Sequence, residues 1–165
     1  MAQVQGQGYG FAQDVAQAGQ KVDLSTDIVD SYAAQTEIPY GRGVTQGTAA
    51  NQVNLAAEAG TFLGAALFTH ANEQALAGGA EYAIGDAVSV LAFGRVWGEA
   101  VGEVTKEADA YVITTVGDDQ GKFTASDDGT LGPVGRFKGA GEDELVIVEI
   151  TAALRGAQGP QGEAG

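Results

Sequence analysis

Ala87-Val88-Ser89-Val90-Leu91-Ala92-Phe93, leading through Gly94 into Arg95-Val96-Trp97, constrains the fold of this chain more than any other stretch. Its apolar residues alternate on two faces, with Val88, Val90 and Ala92 on one and Leu91, Phe93 and Trp97 on the other. A strand with apolar residues on both faces must be buried on both sides, between two sheets or between a sheet and another subunit. Gly94 in the middle predicts a bulge or bend.

The rest of the central region repeats this theme in shorter pieces. Ile28 to Ala33 is a plausible first strand interrupted by Asp30, and Ile38 to Val44 is extended, with Pro39 at a strand start or on an edge. Gly60 to Phe68 is apolar on both faces. Ala71 to Ala77 has helix-favouring composition but is bounded by Gly78-Gly79, which limits it to two turns. Tyr111 to Val116, Lys122 to Ala125, Leu131 to Lys138 and Leu145 to Thr151 complete the set. Gly117-Asp118-Asp119, Asp127-Asp128-Gly129 and Gly141-Glu142-Asp143 separate them as turns. Short strands with regular turn signals predict a mainly β fold, a small β-barrel or β-sandwich.

The two ends differ from this β domain, which spans residues 26–154. Residues 1–25 are rich in Gln, Ala and Gly; Phe11, Val15 and Ala18 lie at helical spacing, and the segment reads as an extended arm ordered against a neighbour, or as a disordered terminus. Residues 155–165 place glycine at every third position: Gly156, Gly159, Gly162 and Gly165. A strict Gly-X-Y period suits a collagen triple helix, because only glycine fits where three chains meet at the axis. The competing reading is a flexible Gly/Ala/Gln tail. The triplets are too few to hold a triple helix unaided, so the collagen reading predicts a chain that continues as a fibre and a homotrimer at its base.

Charge excludes one class of partner. The chain has 22 acidic against 8 basic residues, a net charge of −14, and no basic stripe interleaved with aromatics. Such a chain repels phosphate, so no nucleic-acid partner is expected. Without cysteine there are neither disulfides nor thiolate metal ligands. The opening residues do not read as a signal peptide and no apolar run approaches membrane-spanning length. The expectation is a soluble protein made in the cytosol, or released by some route other than ordinary secretion, with no membrane partner.

Catalytic chemistry has little to stand on. His70 is the only histidine, next to Thr69 and Asn72, and reads as a polar loop residue. No serine lies in a Gly-x-Ser-x-Gly elbow, and no glycine-rich loop ends in Gly-Lys-Ser/Thr. Asp118-Asp119 and Asp127-Asp128 flank one strand and could offer oxygen ligands to calcium, but the spacing of a calcium loop is missing and Asp beside Gly is ordinary turn chemistry. Trp97, the only tryptophan, reads as a core or interface anchor. No catalytic residue, cofactor or metal site is assigned.

Ile38-Pro39-Tyr40-Gly41-Arg42-Gly43-Val44, then Gly60-Thr61-Phe62-Leu63-Gly64, then Val88-Ser89-Val90-Leu91 with Gly94-Arg95-Val96-Trp97, resembles the tailed-phage capsid cement (head decoration) proteins. Val146-Ile147-Val148-Glu149-Ile150 looks like a further strand of that pattern, so the resemblance spans residues 36 to 151. It implies a non-enzymatic β domain, trimeric in many members, on the outside of a virion, clamping neighbouring major capsid proteins. It supplies no catalytic residues and does not map the capsid-binding ones. The Gly-X-Y end lies outside the shared pattern and would make such a trimer the base of a head fibre, with a host surface as a distal contact. The alternative is a trimeric adhesin or tail-fibre module that binds a host glycan or receptor. A polysaccharide hydrolase is the third reading.

Overall fold

A computed structural model describes residues 16–23, 25–69 and 81–152. The described chain is mainly β, with strands β1 (Ile28–Ala34), β2 (Ile38–Pro39), β3 (Gly43–Gln46), β4 (Gln52–Leu55), β5 (Phe62–Ala66), β6 (Glu81–Tyr82) and β7 (Ala87–Glu99). β8 (Glu103–Val104), β9 (Asp109–Ile113), β10 (Phe123–Thr124), β11 (Thr130–Phe137), β12 (Gly141–Glu142) and β13 (Leu145–Ile150) follow. The helix-favouring stretch from Ala71 to Ala77, His70 and the Gly-X-Y residues lie outside the described residues.

β7 is the shared wall of two rings. Its first half pairs with β1 on one edge and β5 on the other. The order β1-β4-β3-β5-β7 then closes on itself, because β1 pairs with both β4 and β7. The result is a small closed barrel, which settles the choice between barrel and sandwich. The second half of β7 pairs with β13, and the sheet continues through β11 and β9 to β10. A parallel bridge between Ala100, just past β7, and Phe123 on β10 brings that second curl round to its start.

The burial of β7 on both faces now has a cause. Val88 and Val90 point into the first barrel with Ile38, Tyr40, Val44, Val53 and Tyr82. Leu91 joins the other core, with Val112, Phe123, Phe137, Val148 and Ile150, and so does Val96 from beyond the bend. At Gly94 the backbone has a φ of +135°. Trp97 does not follow Leu91 inward: it stays half-buried on the outer face, because the strand bends between them.

What bends over Gly94 is the chain's own N-terminal segment. The Gly19 N–H donates to the Trp97 carbonyl at 2.8 Å, Trp97 N–H to the Gln20 carbonyl at 2.9 Å and Val22 N–H to the Arg95 carbonyl at 3.2 Å. Phe68 N–H donates to the Gly19 carbonyl at 2.8 Å, which puts this segment on the edge of β7 that β5 occupies. β1 lies on the other edge, so residues 22–28 cross β7 between them. A Cβ on Gly94 would lie 3.0 Å from the Cβ of Asp27, and Asp27 is ion-paired with Lys21. Glycine is required where the strap passes. Backbone pairing along residues 19–22 needs no apolar pattern, which is why composition alone could not show it.

Candidate functional site

The acidic pairs are turns. Asp118 and Asp119 lie in the β9–β10 connection, and Asp128 in the β10–β11 turn, where its N–H donates to Ser126 Oγ at 3.2 Å. Asp119 is committed to Lys122 at 2.9 Å, and Lys122 also faces Glu99 at 3.4 Å. The hydrogen bond to Asp119 holds the Lys122 ammonium above its ordinary range, with partial burial opposing it. These groups line a cleft of roughly 460 Å³ with Val101, Asp143, Glu144 and Leu145. Of its carboxylates, Glu99 and Asp119 are paired with Lys122. Among the described residues no group of three or more His, Cys, Asp or Glu is placed to hold a metal ion.

The junction between the two rings is built by the Ile38-to-Val44 segment. Ile38 and Val44 are fully buried, and Tyr40 packs edge-on against Tyr82 and Phe68 at ring-centroid distances of 5.1 and 5.2 Å. Gly41 has a φ of +79°, and a Cβ there would meet the backbone of Gly19 at 2.6 Å. Arg42 reaches from the first barrel to the second: Nη1 donates to the carbonyls of Asp118 at 2.8 Å and Gln120 at 2.9 Å, and Nη2 lies 3.7 Å from Glu99. Gly43 N–H donates to the Gly121 carbonyl at 2.7 Å, and Gln120 Nε2 to the Ala56 carbonyl at 2.8 Å. Arg42 is thus a pin between barrels. The sequence offers Gly41-Arg42-Gly43 as part of the segment that carries the family resemblance but not as a pin, because the carbonyls Arg42 holds are 76 and 78 residues away in the chain.

The outer face of the second ring carries a row of alternating charge. Arg95 on β7, Glu149 on β13, Arg136 on β11 and Asp109 on β9 are opposed in strand register. Arg95 Nε donates to Glu149 at 3.0 Å, Arg136 lies 3.9 Å from Asp109, and Lys138 donates to both Glu107 oxygens at 2.9 and 3.1 Å. The Lys138 bond holds the Glu107 carboxyl below its usual range. Such exposed pairs add little stability each. Their effect on the surface is larger: six of the seven described Lys and Arg side chains sit in ion pairs, so the remaining field is acidic. Apolar side chains also reach solvent, Ile84 and Val116 at loop tips and Ile28 and Val29 at the start of β1.

A family model for a structural cement protein (E217 gp24/Pam3 gp6) matches residues 4–151. Among solved structures, the chain is similar to one in the capsid of Myoviridae Phage XM1, with a TM-score of 0.69, 21% identity, and coverage of 85% of this chain and 94% of that one. A looser likeness, with a TM-score of 0.44 and 16% identity, covers 76% of this chain and 94% of the head fiber gp8.5 N base in bacteriophage phi29. No curated protein matches. The first likeness shares the fold, and the family match runs across both rings and the strap: the chain belongs to the structural cement protein family.

Proposed function

We propose that this chain binds the outer surface of a tailed-phage capsid as a homotrimer and clamps neighbouring major capsid proteins. The observation that carries this reading is the family match over residues 4–151, which takes in both barrels, the Arg42 junction and the N-terminal strap. The physical surface supports it. A clamp needs contact area, about 800 Å² per partner for a standard interface, and no chemistry. A net charge of −14 is unsuited to the DNA-filled interior and harmless outside it. Three weak contacts held by one trimer gain avidity through effective concentration. Gly156, Gly159, Gly162 and Gly165 then form the axis of a collagen-like root, from which a head fibre would extend toward a host surface.

The test is co-sedimentation of the purified protein with undecorated heads of the phage that encodes it, counted as copies per head. Saturable pelleting at three copies per site is the expected result. Folded protein that stays in the supernatant at all concentrations overturns the reading and favours the adhesin.

A further inference from the structure

Among the described residues, β1 is paired along its length on one edge only. It pairs with β7 from Ile28 to Ala33, yet β4 meets it only at Ala33 and Ala34. The Ala33 N–H donates to the Asn51 carbonyl on the β4 side, and Ala34 N–H donates to Asp86 on the β7 side. Because backbone groups alternate edges along a strand, those of Ser31 and Val29 point the same way as Ala33, where no backbone partner lies among the described residues. Side chains there are open as well: residues 28–31 are all exposed, with Ile28 and Val29 at 44% and 41%. An edge whose backbone groups have no partner among the described residues, and whose apolar side chains are exposed, is a template for a further strand. Asp30 is the only charge on it.

We propose that this edge receives residues 1–15 of a second copy of the chain, as an added strand, in an exchange that links neighbouring copies. Four observations select that occupant. Residues 1–15 join the described chain at Ala16, three residues before Gly19, on the β5 edge of β7, whereas the open edge belongs to β1 on the other side. Its own strap already crosses β7 over Gly94, so a chain folding back to its own β1 would have to cross again. Fifteen extended residues reach about 50 Å, enough to span to a neighbour. Finally, the segment holds a single charge, Asp14, so it can lie beside Asp23, Asp27 and Asp30, where most of this acidic chain would be repelled; Tyr9, Phe11 and Val15 fall on one face at strand spacing. The proposal rests on the assembly of several copies proposed above.

The chain has no cysteine, which makes the test clean. One preparation carries Ser31→Cys and others carry Tyr9→Cys, Phe11→Cys or Gln13→Cys, and pairs are mixed by joint refolding and oxidised, both free and on heads. Exchange predicts disulfides joining the two different chains in about tenfold excess over like pairs for at least one arm position, because docking raises the effective concentration. Ser31→Pro should remove the outward N–H, keep the β7 pairing and the melting temperature within a few degrees, and lower association about tenfold or more. Asp30→Pro, whose N–H faces β7, should instead unfold the strand. Intrachain bonds alone in the Gln13→Cys/Ser31→Cys double variant, or a bond from Ser31→Cys to a shell protein carrying a cysteine, would overturn the exchange. Absence of mixed pairs while wild-type protein still pellets with heads overturns the exchange and leaves the cement reading standing. Mixed pairs in free protein that fails to pellet do the reverse.

Discussion

Removing the Arg42 guanidinium should loosen the joint between the two barrels. The side chain makes two hydrogen bonds to backbone carbonyls of the β9–β10 connection, at 2.8 and 2.9 Å, plus a longer approach to Glu99 at 3.7 Å. Bonds from a charged donor contribute about 1.5–3 kcal/mol each. Its Nε is buried without a partner among the described residues, which offsets part of that gain. The low end therefore applies, and Arg42→Ala should cost about 3 kcal/mol in all. For a domain of this length that is a fall in Tm of about 6–12 °C. Arg42→Lys should recover less than half, because one ammonium cannot reproduce the fork that spans the two carbonyls. Thermal unfolding by circular dichroism reads the first effect. Hydrogen exchange reads a second: the amides of Gly43 and Gly121 should exchange faster, while those of β1 within the first barrel should not. A loss below about 1 kcal/mol, or full rescue by lysine, would refute the idea that this side chain joins the barrels.

Three further outcomes rest on the same fold. The buried Tyr82 hydroxyl donates to the Leu67 carbonyl at 2.6 Å, and burial pushes its pKa up to about 12. A folded pKa above the unfolded value means this stabilisation is complete below about pH 10 and is lost as pH rises through 12, on the order of a few kcal/mol; Tyr82→Phe should be less stable at neutral pH by about 1–3 kcal/mol yet show a shallower alkaline limb in urea titrations from pH 9 to 12. Gly41→Ala should destabilise by about 2 kcal/mol or more, since a positive φ and the Gly19 backbone both oppose a side chain, and soluble yield and Tm report it. Millimolar calcium should leave Tm unchanged to within about 1 °C, because the paired aspartates belong to separate turns; a larger rise would reveal a site that the turns conceal.

How far the sequence could be read depends on how local each cause is. β7, β11 and β13 were legible because their burial is written in their own residues, as in Val146, Val148 and Ile150, all buried along one face. β4 was missed: of Gln52 to Leu55 only Val53 is fully buried, so its alternation looks polar. β8 and β12 pair in a ribbon of only two residues each, too short for a period to register. Gly94 was legible as a bend but not as the place where the strap crosses, since Asp27 lies 67 residues before it in the chain. The placing of Trp97 failed for the same reason: alternation assumes a straight strand, and β7 is not straight. The Arg42 pin was not legible, because it depends on carbonyls that only the fold brings near.

Clamping is a mechanical function, and the resilience of heads reports it. DNA-filled heads with and without this protein would be heated in parallel while DNA release is followed by dye fluorescence. Clamping predicts release at a higher temperature when the protein is bound, with the gain saturating at the same occupancy as co-sedimentation. Identical release temperatures at full occupancy would show a protein that binds the shell without holding it together, and would contradict the account.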